Sequence, residues 1–565
     1  MAAERQAPHW IPRLSFFLLA LVYLFYWQDV EYVADDWLHL NFCLQAAGTG
    51  LRGHLHILRA LLENRLYGGF QLFWVSQWLN CLLVWTFGYA PKIAYAAVLL
   101  LHAGNACLFY ALLRRLRAGT RMAYLAAALV VLTPVAHGPL FWPVNCTFFV
   151  LPMLWLFLYL LQALKTYETG KLTVRAAVLQ SGLILLVLFS GSPASALLLA
   201  SPLWLGICFF GRARLRTGLL VTLLNLAVVV PAVGGYRWYL QSLRRPGGHE
   251  ERFALTYEYG AAGLRMTRTH LINLSGLTPH SYYRLSGISS AALLAGLACG
   301  LLVLAVARRL PSADRQQSAG SLILFAAGMW VFAYAPIAFL NSKTLRHYYP
   351  FSFFLCLLLA LPAAWSAAIR ARLLALGWAA LLCGYFAVCT AAEIQQCWVP
   401  ESLATQSLKP ALRELDHLSP GDWIIAPGMP IVIGTAPHFS LALEPGGQNF
   451  ARYWTGVSGL RFAREIVVER GRLRFFHQAF MRDTSAEELA ARVHVIARNE
   501  SGVYTVRRYV AIERRPGLYE VLPLKGFAAL SGSGGLASQA QLAPLETEIY
   551  YAKPFVHGDI RYLHY

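Results

Sequence analysis

Residues 69–87 read GFQLFWVSQWLNCLLVWTF, an apolar stretch whose reading decides the topology of the whole chain. Counted as a membrane span, it would place Arg114, Arg115, Arg117 and Arg121 outside and invert every later loop. Read as a helix lying at headgroup level, it leaves that cluster inside. Trp74 and Trp78 are four residues apart, and Trp85 falls on the same broad face. Tryptophan rings settle where bilayer meets water, so this spacing favours the interfacial helix. The alternative is a twelfth span with a re-entrant partner elsewhere.

Around that stretch the chain of 565 residues is 57% hydrophobic and 13% charged, where a soluble domain carries about 25% charged residues. Apolar runs long enough to cross a bilayer, about 20 residues, fall near 12–28, 93–113, 122–137, 147–163, 174–190, 194–211, 216–235, 286–307, 319–340, 349–368 and 373–393. That predicts about eleven transmembrane helices. Arg5 and Arg13 open the first run as in a signal peptide, but no small-residue cleavage site follows Tyr26 and Trp27, so it reads as a retained anchor.

The net charge is +20, and in such a chain a basic excess belongs first to short cytoplasmic loops, which makes nucleic acid a poor partner. The clusters obey this rule: Arg114, Arg115, Arg117 and Arg121; Lys165, Lys171 and Arg175; Arg212, Arg214 and Arg216; Arg308, Arg309 and Arg315; Arg370 and Arg372 all fall on the side of the N-terminus. With a cytoplasmic N-terminus, an odd number of spans leaves the C-terminal portion outside. Ten cysteines lie mostly in apolar runs, with none after Cys397, a pattern that excludes a disulfide scaffold and a CxxC metal site.

Three outside segments are long: 29–92, 236–285 and everything after 393. The last is domain-sized. It opens with a helix-like run (Leu403, Leu408, Leu412, Leu415), continues with strand-like Asp422–Ala426, Ile431–Ile433 and Val503–Ile512, and has helix-like Ala486–Ala497 between them. An all-α membrane domain over 1–395 and an extracytoplasmic α/β domain over 396–565 are therefore expected. Ser531–Gly535 reads as a flexible connector.

Acidic residues are scarce, yet Asp29, Glu31, Asp35 and Asp36 crowd the first membrane exit. In VADDWLHL (33–40), a carboxylate beside a low-dielectric surface has raised proton affinity and suits a general base. The bland reading is a helix N-terminus, where Asp caps an apolar run and complements the dipole. The loop continues with His54, His56, Arg59, Glu63 and Arg65. His102 and Asn105 lie about one turn apart inside a span, a pattern common in interhelical hydrogen bonding. The third span exits through LTPVAHGPLFWP (132–143), whose prolines and glycine break the helix and present His137 and Trp142 at the outer surface. Loop 236–285 interleaves Arg237, Arg244, Arg245, Arg252, Arg265 and Arg268 with tyrosines, fitting either anionic lipid heads or a substrate.

Taken together, these residues resemble the GT-C polytopic glycosyltransferases. The shared features are Asp35-Asp36 after the first span, the Leu-Leu-His-Ala-x-Asn-Ala-x-Leu run ending in Arg114-Arg115-Leu116, the Pro-Val-x-His-x-x-x-x-Trp exit, and Lys343-Thr344-Leu345-Arg346-His347-Tyr348-Tyr349-Pro350. The chain is most similar to the protein O-mannosyltransferases of the transmembrane tetratricopeptide type and their bacterial relatives, over residues 1–350. It departs from them at Arg346-His347, where Arg-Tyr is usual, and has no tetratricopeptide repeats.

The resemblance implies a GT-C-like membrane domain and sugar transfer from a polyprenyl-phosphate carrier to an extracytoplasmic protein, glycan or lipid. It makes Asp35 or Asp36 the catalytic carboxylate, and Arg346, Lys343 and Tyr349 the donor-phosphate site. Candidate substrate-binding residues are His54, His56, Arg59, His102, His137, Trp142, Arg244 and Arg245. No cofactor is assigned, and a divalent cation stays open: Asp35-Asp36 could hold one, but no further ligand set is identifiable. The expected setting is a bacterial inner membrane, with the lipid bilayer as partner and the C-terminal domain periplasmic. Two competing classes are an ion-coupled transporter or lipid flippase, which predicts ionisable residues at mid-membrane, and a non-catalytic membrane subunit presenting its outer domain to a partner.

Overall fold

In the computed structural model, the described residues are 10–33, 36–45, 50–63, 73–142, 144, 147–191, 194–211, 214–242, 287–311, 319–334, 348–362, 369–415, 417–426, 432–433, 438–439, 446–463, 465–469, 472–477, 480–484, 492–498, 504–524, 536–543 and 549–554. The chain divides into two compact units. The first is Met1–Gln28 with Cys43–Gln396; the second is Asp29–Phe42 with Cys397–His564. The acidic segment that follows the first apolar run thus belongs with the C-terminal unit, which its sequence position does not suggest.

The first unit is helical. Five helices are long and apolar enough to cross a membrane: Pro91–Arg115, Thr147–Thr169, Leu215–Tyr239, Ser290–Arg309 and Leu373–Trp398. Shorter apolar helices cover Trp10–Tyr26, Thr120–Leu132, Val174–Ser190, Leu197–Phe209, Gly320–Tyr334 and Tyr349–Ala360. Local chemistry sets their ends. Pro91 opens its helix where its missing N–H is no loss, and Arg114 and Arg115 close it against the negative end of the dipole. Thr173 and Ser289 side chains accept from the amides of Ala176 and Ala292, each at 3.2 Å, as N-caps. The run expected over 122–137 stops at Leu132 because Thr133, placed before a proline, is extended (φ −63°, ψ 131°).

Helix–helix packing relies on small residues where backbones approach. Gly296 and Gly300 of the Ser290–Arg309 helix face Gly384 and Ala380 of the Ile369–Glu393 helix; a Cβ on Gly300 would lie 2.9 Å from the Ala380 carbonyl oxygen.

The 69–87 stretch forms the helix Trp74–Phe87, ended by Gly88 at φ 66°. Its buried face is polar. Asn80 Nδ2 donates to the Val144 carbonyl and to Thr147 Oγ1, both at 2.9 Å, and Ser76 Oγ donates to the Ser190 carbonyl at 2.6 Å. The tryptophans do not share one outer face: Trp78 is exposed, whereas Trp74 stacks on Phe189 at 4.4 Å and meets Tyr236 edge-on. The cysteines hold one bridge that their pattern did not announce, short of a disulfide scaffold. Cys43 and Cys81 form a disulfide, since folding brings together two cysteines whose spacing in sequence carries no signal.

The second unit mixes strands and helices. A four-stranded sheet runs Arg461–Ala463, Trp423–Ile425, Val493–Arg498, Tyr504–Arg507, the first three parallel and the last antiparallel. A seven-stranded sheet runs Leu536–Ser538, Leu518–Pro523, Tyr509–Arg515, Ile549–Pro554, Glu465–Glu469, Arg472–His477, Phe480–Thr484. One apolar core, including Trp423, Ile425, Val493, Val495, Val510 and Ile512, joins them. The helix expected over 486–497 is not formed in its described part: 493–498 is a strand, because Val493, Val495 and Ala497 alternate into that core with the period of two that strands require. The leucine-patterned helix appears as Val399–Arg413, with Leu408 and Leu412 buried and Leu403 exposed.

Candidate functional site

In the first unit, three of the motifs separated in sequence meet in one buried polar network. His102, on the Pro91–Arg115 helix, has Nε2 at 3.1 Å from the Val131 carbonyl oxygen and Nδ1 at 2.7 Å from the Tyr349 hydroxyl. A carbonyl only accepts, so Nε2 carries the proton and Tyr349 donates to Nδ1. Asn105 Nδ2 donates both to Tyr349 Oη (3.3 Å) and to the Val150 carbonyl (2.8 Å). The Val131 carbonyl also accepts from Tyr23 Oη at 3.0 Å. Tyr23 packs edge-on against His102 and His137, with ring centroids 6.3 and 6.2 Å away.

His137 is engaged at both ring nitrogens: Nδ1 is 2.5 Å from Glu393 Oε2 and Nε2 is 2.7 Å from Thr390 Oγ1. His137, Glu393 and Thr390 have zero exposure. Thr390 and Glu393 stand three residues apart, on one face of their helix. The expected presentation of His137 and Trp142 at a surface is therefore corrected: both are buried, because the chain after Leu132 folds back as a 3-10 turn and a short helix, His137–Leu140.

In the second unit, the acidic segment is held by the C-terminal residues. Glu31 is buried, pairs through Oε2 with Lys409 Nζ, and accepts the Tyr32 amide at 3.0 Å. Ser402 Oγ donates to the Asp29 carbonyl. Trp37 is fully buried against Tyr32, Phe450, Tyr453 and Trp454, and its Nε1 donates to the Tyr32 carbonyl at 3.0 Å. Asn41 Nδ2 donates to the Asn449 carbonyl at 2.7 Å. Lys409 and Arg413, four residues apart on one helix, both stand 5.0 Å from the Trp454 ring centre. Burial, then the nearby Glu31 charge, raises the Tyr453 phenol above its usual range.

Asp36 is buried at the start of the helix Asp36–Gln45, and its Oδ2 accepts the Val33 amide at 3.2 Å. That reach back across three residues is half of a capping box. Asp35, Arg346, Lys343, Arg244 and Arg245 lie outside the described residues. Tyr349 directs its hydroxyl to His102. His54 takes a bond from Trp78 Nε1 at 3.3 Å and meets the Trp85 ring at 4.6 Å; His56 is exposed; Arg59 is exposed and bonds Glu63. The network thus unites His102 and His137 with Tyr349, while His54, His56 and Arg59 sit together on the helix Gly50–Leu62.

Glu393, Thr390 and Tyr23 are the members that sequence reading missed. Glu393 was visible as a lone acid at the end of the last apolar run, a signal that could have been followed to a buried partner. Among the described residues no group of three or more His, Cys, Asp or Glu is placed to hold a metal ion.

No protein-family model matches the chain, and no curated protein matches it. Among solved structures, the crystal structure of ArnT from Cupriavidus metallidurans bound to undecaprenyl phosphate is similar at a TM-score of 0.38 and 14% identity, over 80% of this chain and 85% of that one. At that level the likeness assigns neither a family nor a substrate to this chain.

Proposed function

We propose that the chain is a membrane glycosyltransferase of the GT-C kind, moving a sugar from a polyprenyl-phosphate carrier to an acceptor on the extracytoplasmic side. The observation that carries this reading is the convergence of three motifs: His102 and Asn105, His137, and Tyr349 come from segments up to 247 residues apart, yet the first and last are hydrogen-bonded and Tyr23 touches both histidines.

In the proposed reaction an acceptor hydroxyl gives its proton to a carboxylate and attacks the anomeric carbon, and the bond from that carbon to the carrier phosphate oxygen breaks. Arg346 and Lys343 neutralise the departing phosphate, Arg by its bidentate fork. Of the two adjacent acids Asp35 is the better base, because Asp36 already spends Oδ2 on the Val33 amide. The cytoplasmic N-terminus, eleven crossings and an outside C-terminal unit belong to the same proposal, as does a bacterial inner membrane. The sugar and the acceptor are left open.

The test is release of free polyprenyl phosphate from a panel of polyprenyl-phosphate sugars by the full chain in nanodiscs, with membrane extract supplying acceptors. Release by wild type, lost in Asp35→Asn and Arg346→Ala at matched folding, supports the reading; equal turnover by all three removes the site assignment. A second reading, a proton-coupled lipid transporter or flippase, is favoured by the buried His137–Glu393 pair among apolar helices. Movement of fluorescent lipid across vesicles, with no sugar transfer and no response to Asp35→Asn, would select it.

A further inference from the structure

Outside the partly exposed Arg115–Glu168 pair, the described interior of the first unit fastens its helices with neutral groups: Asn80 to Thr147, Asn225 to Tyr159 (2.9 Å), Gln180 to Thr166 (2.8 Å), and His102 to Tyr349. Against that pattern stands one exception. Among the described residues of this unit, Glu393 is the sole buried carboxylate, and no lysine or arginine there is buried. A buried ion pair is a costly fastener, since desolvation offsets much of the attraction, and in an apolar bundle an ionisable group is a functional candidate before it is a structural one.

Donor–acceptor matching assigns the protons. The Thr390 hydroxyl donates to the Phe386 carbonyl one turn earlier at 2.9 Å, so its oxygen is left to accept from His137 Nε2–H. With Nε2 protonated, the 2.5 Å line from Nδ1 to Glu393 Oε2 holds a single proton. It can sit on nitrogen, as imidazolium beside carboxylate, or on oxygen, as neutral imidazole beside carboxylic acid. Both arrangements of the pair are neutral overall, so exchange between them moves no net charge through the apolar interior.

We propose that His137 and Glu393 form a proton-holding site of the membrane unit: the pair, as neutral imidazole beside carboxylate, takes up one proton that originates in solvent, holds it between His137 Nδ1 and Glu393 Oε2, and returns it to solvent during turnover. Glu393 is then a positioning and proton-storing residue rather than one that touches substrate. Among the described residues, titratable groups facing the pair include Tyr23, against the His137 ring; His102, beyond that tyrosine; and Tyr349 and Cys299, near Tyr23. None of these carries a carboxylate that could replace Glu393. Tyr23 and His102 share the Val131 carbonyl and so tie the pair to the network of the proposed transferase.

The experiment is an infrared titration of the carboxyl region on the full chain in nanodiscs, run beside the sugar-transfer assay across about pH 5 to 8, the range where imidazoles change charge. A carboxyl signal that titrates in wild type, disappears in Glu393→Gln and shifts in His137→Gln is expected. Transfer by Glu393→Gln should fall about a hundredfold, the lower end of acid–base contributions, with its pH dependence flattened and Glu393→Asp restoring part of the rate. A wild-type carboxyl signal that ignores pH, or Glu393→Gln with unchanged rate and pH profile, overturns the proposal. Should Glu393→Gln fail to fold, Thr390→Val serves: it removes the acceptor of Nε2–H and must shift the titration midpoint, and an unmoved midpoint counts against the site. Only the transfer half rests on the transferase reading. A titrating pair in a protein that transfers no sugar refutes that reading and leaves the proton site standing.

Discussion

Asp35 and Asp36 are neighbours with different prospects. Asp36 is buried, opens its helix and accepts the Val33 amide three residues before it, so Asp36→Ala should cost about 0.5–2 kcal/mol of stability, the usual value of a lost capping bond. Asp35→Asn should lower transfer by roughly 10²–10⁴-fold at unchanged stability if it is the base; a turnover assay paired with denaturant unfolding separates the two, and the opposite pattern exchanges their roles. Glu31 and Lys409 offer a cleaner stability test. The pair is almost fully buried, with side-chain exposures of 2% and 16%, so Lys409→Ala should cost about 3–5 kcal/mol by stranding the carboxylate, while Glu31→Gln with Lys409→Met should cost much less. A loss in the double variant equal to the sum of the losses in the two single variants, read by unfolding, would mean that the charges do not interact. At this scale the sequence marked the scarce acids of the first exit but gave no hint that Glu31 reaches a lysine 378 positions away.

The Ser290–Arg309 and Ile369–Glu393 helices touch through glycines, and this contact carries its own control. A Cβ on Gly296 would fall 2.4 Å from Val388 Cγ2 and 2.8 Å from the Gly384 carbonyl oxygen, while a Cβ on Gly377, in the partner helix, meets nothing within 4 Å. Gly296→Ala should therefore destabilise by about 1–3 kcal/mol through overpacking, and Gly377→Ala should be neutral or slightly stabilising, since alanine is the better helix former. Thermal unfolding in detergent distinguishes them; matching shifts would place the helix contact elsewhere. Element existence was the legible part of the fold, because apolar runs are long and uninterrupted; each predicted run is matched by an apolar helix, five of them long enough to cross. Element faces were less legible. Trp74 turned inward where its spacing suggested an outer belt, since Ser76 and Asn80 bind the bundle and rotate that side of the helix toward it. Residues 493–498 became a strand because a parallel neighbour, Trp423–Ile425, an antiparallel one, Tyr504–Arg507, and a shared core outweighed local helix preference.

For the molecule as a whole, orientation rests on the arginine and lysine clusters, and it can be measured directly. A membrane-impermeant maleimide applied to intact cells should label Ser419→Cys and spare Thr173→Cys, both exposed positions; the reverse would turn the molecule over and with it the compartment assigned to the C-terminal unit. The acidic segment's membership of that unit was not legible, because the partners that hold it follow more than 350 residues later. The motifs of the candidate network were visible in sequence and their meeting point was not, since its side chains come from four apolar helices and the short helix His137–Leu140. The Cys43–Cys81 bond also fixes an order of events in biogenesis. Both sulfurs are fully enclosed in the finished protein, so neither an oxidant nor a reductant reaches them there. The thiols must meet an oxidising compartment while the chain around the Trp74–Phe87 helix is still open. A chain synthesised wholly under reducing conditions would mature without that link and could not acquire it later, whereas a chain exported first would keep it through any reducing buffer.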